Sequence, residues 1–300
     1  MVCVRIFLLL FLAALVSSCS QMPIQDSNWQ LVAEGFDFPE GPAWDNHGAL
    51  YVSNCFGGRI SRIKDGQVKT FLKASDDTFS KTNGLFILEN GDILACDFGK
   101  GAILQISPEG KVTVVVDGYQ AVPFNRPNDI IAAANGDIYF TDPKSNNKDK
   151  TDGRLFYYNG KSGKLQLVAD GLAFPNGLGI SPLDGKLYVA ESAKGCIVRF
   201  SITAGGTVRD KETFVQLPGG DPDGIDFDVK GNLYTPHFGT GVMYVISPVG
   251  RIIQTIPTPG KQPSNIEFGG SDMKTLYLTE DVTNCIYKIQ VNYPGCRFSR

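Results

Sequence analysis

From residue 29 onward the chain alternates short apolar runs with tight polar turns. A representative unit opens at Asn128, continues through an apolar run, turns at Asn135-Gly136 and returns as Ile138-Tyr139-Phe140. An Asn-Gly pair between two apolar runs is a strong hairpin signal. Mixed aliphatic and aromatic residues on the returning run are typical of a buried strand. The pattern predicts an all-β chain built from antiparallel hairpins.

This unit recurs six times, and the copies align on one polar residue that opens the first strand of each. We call these positions the axial column: Glu40, Asn83, Asn128, Asn176, Asp223 and Ser264. Successive positions are 41 residues apart (223 to 264) at the least and 48 (128 to 176) at the most. That period is the length of one propeller blade rather than of a solenoid turn. The sequence therefore predicts a six-bladed β-propeller of four-stranded antiparallel blades.

The two ends of the repeat array complement each other. No fourth strand follows residues 286–291 in the last repeat, whereas residues 29–35 copy residues 165–171, the fourth strand of their own repeat. We therefore expect the N-terminal strand to complete the last blade and close the ring, which removes both exposed sheet edges.

Equivalent positions of a closed ring converge on its axis, so the axial column is expected to gather at one mouth of the tunnel. Two carboxylates with amide oxygens are hard donors that suit Ca²⁺, Mg²⁺ or Mn²⁺ better than zinc. Glu40 and Asp223 would repel each other without a cation. We interpret these two residues and Asn176 as metal ligands. Turn formation alone is the better explanation for Asn83 and Ser264.

A second set of polar residues ends the returning strand of each repeat, and an antiparallel hairpin brings it to the same mouth. We call this set the strand-end column: Asn54, Asp97, Asp142, Glu191, His237 and Glu280. The other histidine, His47, falls at the opposite mouth, which argues against a zinc site or a His dyad. No Gly-x-Ser-x-Gly motif is present to anchor a hydrolase triad. His237 is expected either in the pocket or in a surface or hydrogen-bonded position.

Composition fits one large soluble domain after an export segment. The chain has 300 residues, 42% of them hydrophobic and 20% charged, and its net charge of −3 gives no basic surface for nucleic acid. Residues 1–18 combine Arg5, an apolar run and small residues, as in a signal peptide. The stretch before Cys19 resembles the lipobox of bacterial lipoproteins. An ordinary signal peptide that happens to contain a cysteine is the alternative.

These features divide the chain into a lipoprotein-type signal peptide (1–18), a lipidated Cys19 with a tether (19–28) and the propeller domain (29–300). The expected location is the cell envelope or periplasm, with the lipid at Cys19 anchored in a bacterial membrane, inner or outer. Five cysteines remain after residue 19, an odd number at irregular spacing that does not suggest a disulfide framework. Only Cys285 and Cys296 merit a test as a pair. The others are expected to be buried thiols.

Several motifs together resemble the gluconolactonase, regucalcin and luciferin-regenerating enzyme family. The five motifs are Phe38-Pro39-Glu40-Gly41-Pro42, Arg126-Pro127-Asn128-Asp129, Tyr139-Phe140-Thr141-Asp142-Pro143, Phe174-Pro175-Asn176-Gly177-Leu178 and Pro222-Asp223-Gly224. The resemblance covers about residues 29–291. It implies a six-bladed propeller whose axial divalent cation is held by Glu40, Asn176 and Asp223, with Asn128 beside it.

The same resemblance implies roles around the cation. Arg126 and Asn128 match positions that contact a sugar-like substrate, and Asp223 matches the residue proposed as the catalytic base. The cofactor is expected to be one divalent cation, calcium first, with Mg²⁺, Mn²⁺ or Zn²⁺ as alternatives. The long polar loop at residues 144–153 is expected to form part of the pocket wall.

The sequence thus predicts a metal-dependent lactonase that hydrolyses a small-molecule sugar lactone. The cation would polarise the lactone carbonyl, and Asp223 would accept a proton from the attacking water. One alternative is a calcium-dependent phosphotriesterase resembling diisopropyl fluorophosphatase. Another is a non-catalytic binding propeller of the envelope in which the cation is structural.

Overall fold

The computed structural model describes residues 21–296, which form six antiparallel sheets arranged as the blades of a propeller. This confirms the predicted all-β, six-bladed fold. The predicted signal peptide (1–18) and Cys19 lie outside the described residues. Within residues 21–296, no helix is long and apolar enough to cross a membrane.

The first strand, β1 (Gln30–Glu34), belongs to the last blade, and every other blade is formed by consecutive strands. From the axis outward, the first blade contains β2 (Pro39–Trp44), β3 (Ala49–Asn54), β4 (Arg59–Lys64) and β5 (Gln67–Lys73). The second blade contains β6 (Thr82–Ile87), β7 (Ile93–Asp97), β8 (Ala102–Ile106) and β9 (Val112–Val116). The third blade contains β10 (Ile130–Ala132), β11 (Ile138–Asp142), β12 (Gly153–Tyr158) and β13 (Leu165–Leu172).

The fourth to sixth blades follow the same plan, and the inner strand of the fifth blade is split in two. The fourth blade contains β14 (Pro175–Ile180), β15 (Leu187–Glu191), β16 (Cys196–Ile202) and β17 (Val208–Gln216). The fifth blade contains β18 (Asp221–Pro222), β19 (Asp226–Phe227), β20 (Leu233–Phe238), β21 (Val242–Ile246) and β22 (Ile252–Pro257). The sixth blade contains β23 (Pro263–Gly269), β24 (Thr275–Glu280) and β25 (Cys285–Gln290). A short 3₁₀ helix, Ser192–Lys194, follows β15.

The ring closes as predicted, because β1 pairs antiparallel with β25 as the outer strand of the sixth blade. The segment just before β1 is also attached to the propeller. Ile24 is 3% exposed within the core, and its backbone exchanges two hydrogen bonds with the side-chain amide of Gln254, at 2.9 and 2.7 Å. The part of the expected tether that the structure describes therefore packs on the fold rather than extending from it.

Burial falls from the axis to the rim of each blade. All six residues of β3 are buried, whereas most of β5 in the same blade is exposed. Neighbouring blades cover both faces of an inner strand, so its residues can be apolar on both sides. The apolar clusters accordingly lie between adjacent blades, as where Tyr234 and Phe268 meet edge to face at 5.1 Å.

The inner strand of each blade is interrupted at the axial column. In β2 the register with β3 breaks between Glu40 and Ala43, and β6, β14 and β23 break at the same place. In the third blade β10 begins only at Ile130, after Asn128, and in the fifth blade Asp223 lies in the gap between β18 and β19. Such irregularities turn the backbone and re-aim its side chains. They direct the column residues towards the axis.

The cysteine pair singled out from the sequence is not joined, and none of the five cysteines within residues 21–296 forms a disulfide. Cys285 begins β25 at the mouth that carries the axial column, opposite Glu280 in the register. The backbone of Cys296 instead bonds to Phe227 of the fifth blade, and its side chain borders the opposite end of the tunnel. The two thiols therefore lie at different ends of the propeller.

Candidate metal centre and substrate pocket

A cavity of about 210 Å³ opens at one mouth of the axial tunnel. The structure brings five of the six axial-column residues together in its lining: Glu40, Asn83, Asn128, Asn176 and Asp223. The sixth, Ser264, is fully buried, where its hydroxyl contacts the Pro39 carbonyl oxygen at 3.2 Å and the Thr279 hydroxyl at 2.8 Å. A hub formed from five distant segments is thus present, with Ser264 in a packing role.

Backbone contacts between adjacent blades fix the hub. The Gly177 N–H donates to the carbonyl oxygen of Asp223 at 3.1 Å, and a Cβ at Gly177 would lie 2.3 Å from that oxygen. Only glycine permits so close an approach. Equivalent inter-blade bonds join Gly84 to Asn128 and Gly224 to Ser264. The Pro-Asn-Gly and Pro-Asp-Gly triplets therefore encode both the side chain at the axis and the contact that holds it.

The two carboxylates predicted as ligands are buried close to each other with few donors. Burial raises the pKa of Glu40 to about 8, with Asp129 adding to the rise, while the Gly41 N–H and the Asn265 side chain oppose it. Burial also raises the pKa of Asp223 well above its usual range, and the nearby charge of Glu40 raises it further. The Asn176 side chain hydrogen-bonds to Asp223 and partly offsets these effects. Glu40, Asn176 and Asp223 therefore share one site.

Two further acids lie near this site that the sequence did not single out. Asp129 follows Asn128, at a place where four repeats have glycine; burial raises its pKa to about 7 although the Ile130 and Leu178 N–H groups bond to it. Asp281 directly follows the strand-end residue Glu280. Burial raises its pKa to about 10, and the charges of Glu40 and Glu280 raise it further. Comparing the residues next to each column across the six repeats would have revealed both.

The donor set fits a hard divalent cation. Across residues 21–296, no three His, Cys, Asp or Glu side chains lie close enough to enclose an ion unaided. Two carboxylates must therefore be completed by amide oxygens, which Asn128 and Asn176 supply and which calcium accepts readily. Buried carboxylates held together without a positive charge are unfavourable. A divalent cation held by Glu40, Asn176, Asp223 and Asn128 would relieve that repulsion.

Aromatic rings and one guanidinium form the upper wall of the pocket. Five phenylalanines line it: Phe38, Phe56, Phe98, Phe174 and Phe238. The Arg126 guanidinium lies 6.0 Å from the ring centres of both Phe98 and Phe174. Phe38 and Phe174 precede the column residues Glu40 and Asn176 by two positions and share a left-handed backbone, with φ of 58° and 51°. Such strain in a non-glycine residue is maintained only by its surroundings.

The loop at residues 144–153 forms part of the pocket wall, as expected, through a single residue. Only Asn146 of this loop lines the cavity, where its side chain bonds to Asp221. Elsewhere the loop is held to itself, since the Ser145 hydroxyl donates to the Asp152 carboxylate at 2.8 Å.

The strand-end column braces the backbone that leads into the axial column, and none of its residues lines the cavity. Asp97 accepts N–H bonds from Ser80 and Lys81 at 2.9 Å each, and further ones from Gly99 and Lys100. The other acids of the column do the same for their own blades: Asp142 for the Asn125 and Arg126 N–H groups, Glu191 for Ala173 and Glu280 for Gln262 and Thr283.

His237 is the member of the strand-end column without this function. It is fully buried, and neither ring nitrogen has a hydrogen-bond partner among the described residues. Its ring packs edge to face on Tyr244 at 5.1 Å. Burial lowers the pKa of His237 to about 4. None of the positions considered from the sequence, whether pocket, surface or hydrogen-bonded, describes this residue.

Comparison with known proteins identifies the family of the chain. The family described as SMP-30/Gluconolactonase/LRE-like region matches residues 38–281. A gluconolactonase of Zymomonas mobilis is 33% identical over 280 residues, covering 83% of this chain and 78% of that protein.

Solved structures give the same result for the fold. A gluconolactonase of Xanthomonas campestris aligns with a TM-score of 0.78 at 28% identity over 88% of this chain and 89% of its own. A calcium-binding regucalcin of Agrobacterium tumefaciens aligns with a TM-score of 0.78 over 90% and 95% of the two chains, at an identity of 18% that supports the fold alone. The chain belongs to the SMP-30/gluconolactonase/LRE-like family.

Proposed function

We propose that this protein is a divalent-metal-dependent lactonase that hydrolyses a sugar lactone. The observation that carries the proposal is the buried hub in which Glu40, Asn176 and Asp223 meet beneath Arg126 in an open cavity. The 33% identity to a gluconolactonase supports the same reaction class. Calcium is the cation we propose, because the donors are all oxygen atoms, and a calcium-binding relative shares the fold.

When bound, the cation would supply a positive charge for the lactone carbonyl oxygen as water adds. Asp223 is the proposed general base, and it takes a proton from the attacking water onto its carboxylate. With a cation beside it, Asp223 would be held as the ionised carboxylate that a general base requires. The ring ester C–O bond then breaks, and its alkoxide oxygen takes the proton that Asp223 accepted, which gives the hydroxy acid and restores the Asp223 carboxylate. The hydrogen bond from the Asn176 side chain holds the base in place.

Arg126 and Asn128 are the proposed substrate-binding residues. Arg126 is exposed at the pocket wall, and its backbone N–H is fixed by the Asp142 carboxylate at 2.6 Å. Its guanidinium can donate to hydroxyl or carboxyl oxygens of the substrate, while Asn128 offers an amide closer to the floor. The phenylalanine rings would pack against the C–H face of the lactone ring and exclude water from the reacting carbonyl.

The test is a lactone panel assayed on one preparation after chelation and after re-addition of single metals. Glucono-δ-lactone, pentonolactones and alkyl-substituted lactones would be followed by acid release in a pH-stat, with Ca²⁺, Mg²⁺, Mn²⁺ and Zn²⁺ added separately. We expect turnover of at least one sugar lactone that is lost on chelation and restored by calcium. Full activity of the chelated protein would contradict the proposed role of the cation.

The same preparation separates the two alternative functions. Hydrolysis of diisopropyl fluorophosphate without turnover of any lactone would support a calcium-dependent phosphotriesterase. Tight calcium binding without either activity would support a binding propeller in which the cation is structural. The open cavity beside Arg126 favours an enzyme over that last possibility.

We also propose that the protein is exported and held in the cell envelope by a lipid on Cys19. The sequence pattern of residues 1–18 and the residues preceding Cys19 support this. The test is cell fractionation with radiolabelled palmitate. Wild-type protein should carry label in the membrane fraction, and Cys19→Ser should carry none. Equal labelling of both would contradict the anchor.

A further inference from the structure

Asp281 is a buried acid whose contacts do not account for its burial. It is 6% exposed, and its Oδ2 atom has no hydrogen-bond partner within the described part of the chain. Its Oδ1 atom has only a 3.4 Å contact from the Ser264 hydroxyl. The adjacent Glu280, by contrast, accepts N–H bonds from Gln262 and Thr283 at 2.8 and 2.6 Å. Buried polar atoms without partners are rare and call for an explanation.

The position of Asp281 in the repeat directs it to the pocket. It is the residue immediately after the strand-end column, and four of its counterparts in other blades line the cavity: Cys55, Phe98, Ser192 and Phe238. The Asp281 N–H donates to the Gln262 carbonyl at 3.0 Å, as the Cys55 and Ser192 N–H groups donate to Phe38 and Phe174 at 3.1 Å. The same backbone bond places Asp281 at the equivalent position of the sixth blade, beside the pocket, although Asp281 is not itself among the residues that line the cavity.

The charges around Asp281 are those of the proposed cation site. The charge of Glu40 is the largest electrostatic influence on it, and Asp281 in turn acts on Asp223. Burial raises the pKa of the Cys55 thiol, and the charges of Glu40, Asp281 and Asp223 raise it further. Three carboxyl groups therefore influence one another around the proposed cation site, and the ligand positions predicted from the sequence supply two of them.

We propose that Asp281 strengthens cation binding as a supporting carboxylate that faces the site without being a direct ligand. A direct role is not supported, because no three acidic, histidine or cysteine side chains within residues 21–296 are close enough to enclose an ion. Its unpartnered Oδ2 would instead accept a hydrogen bond from a group bound beside the cation and add negative charge to the floor. The inference rests on the cation of the proposed function, not on the identity of its substrate.

The experiment measures calcium affinity directly. Chelator-treated protein is titrated with CaCl₂ in a calorimeter, comparing the wild type with Asp281→Asn, and thermal unfolding is recorded in excess chelator. Loss of a group that supports ligands typically weakens metal binding tenfold to a hundredfold. We expect a rise of about tenfold or more in the Kd for Ca²⁺, together with an unfolding midpoint in chelator that is unchanged or higher. If Asp281 had only a structural role, the Asp281→Asn substitution would lower that midpoint.

Asp272→Asn is the matched control, because Asp272 belongs to the same blade, is exposed and accepts a hydrogen bond from the Lys274 N–H. It changes the net charge equally and should leave the Kd unchanged. Asp281→Ser is a second variant in case the first does not fold. A Kd for Asp281→Asn within twofold of the wild type would overturn the proposal, as would a wild type that binds no calcium. If the wild type binds calcium but hydrolyses no lactone, only the proposed function is refuted.

Discussion

The axial column and the strand-end column both contain buried acids, but the two sets differ in how their charge is compensated. Asp97 accepts four backbone N–H bonds, whereas Asp223 receives one side-chain bond from Asn176 and faces Glu40. A buried carboxylate is stable when donors surround it. The strand-end acids meet that condition from within the chain. The axial acids do not, and this difference marks the axis as the place for a cation.

The largest effect is expected from removing an axial acid. Asp223→Ala should lower kcat/KM for the preferred lactone by at least about a thousandfold, or about 4 kcal/mol of transition-state stabilisation. Its unfolding midpoint in chelator should be no lower than that of the wild type, because a poorly compensated buried carboxyl is lost. Glu40→Ala should behave alike. Full activity of either variant would remove the proposed mechanism.

Removing a strand-end acid should have the opposite outcome. Asp97→Ala leaves four N–H groups near Ser80 and Lys100 without their acceptor, and we expect the free energy of unfolding to fall by about 3 kcal/mol. Activity per folded molecule should stay within a few-fold, since Asp97 does not line the pocket. Denaturant titration and active-site-normalised kinetics measure the two effects. A stable but inactive Asp97→Ala protein would contradict the proposed difference between the two columns, in which the strand-end acids stabilise the fold and the axial acids serve activity.

His237 provides a second test of how burial is compensated in the strand-end column, because its buried ring nitrogens have no hydrogen-bond partner among the described residues. Its folded-state pKa of about 4 lies below the usual value near 6.5, so the folded protein binds fewer protons between these values. Stability should therefore fall as the pH drops from about 6.5 to 4, by about 3 kcal/mol from this group, and no further below. The wild type should lose this amount relative to His237→Phe in denaturant titrations. The exposed His47, replaced by Gln, is the control, and parallel pH profiles for the wild type and His237→Phe would disprove the prediction.

The smallest effect is the stability gained on adding calcium. At a free concentration of 100 times the Kd, binding should add about 2.7 kcal/mol to the free energy of unfolding. Glu40→Gln should lose most of this gain, whereas Glu280→Gln, which alters the strand-end column of the sixth blade, should keep it. Thermal unfolding with and without calcium measures the difference. An equal gain in both variants would place the ion elsewhere.

The fold and the axial column could be predicted because they repeat. Six copies of one pattern fix the blade count, and equivalence under rotation places Glu40, Asn176 and Asp223 together without any tertiary information. The strand-end column was located for the same reason, but its bracing function depends on which N–H groups face it. Hydrogen bonds such as those from Ser80 and Lys81 to Asp97 cannot be read from periodicity.

Features that break the repeat were missed. Asp129 and Asp281 replace residues of other types in single blades, so a search for shared positions passes over them. The five phenylalanines of the pocket wall are indistinguishable in sequence from core residues. Ile24 is one apolar residue in a polar stretch, and its burial and its bonds with Gln254 reveal that this segment is part of the propeller.

The most direct test of a shared cation at the hub is a crystal structure of the protein grown with calcium and, separately, with manganese for its anomalous signal. The account predicts one ion on the axis, with oxygen atoms of Glu40, Asn176 and Asp223 at about 2.3–2.6 Å from calcium. Well-ordered maps with no ion on the axis, or with the ion bound away from these three residues, would contradict it.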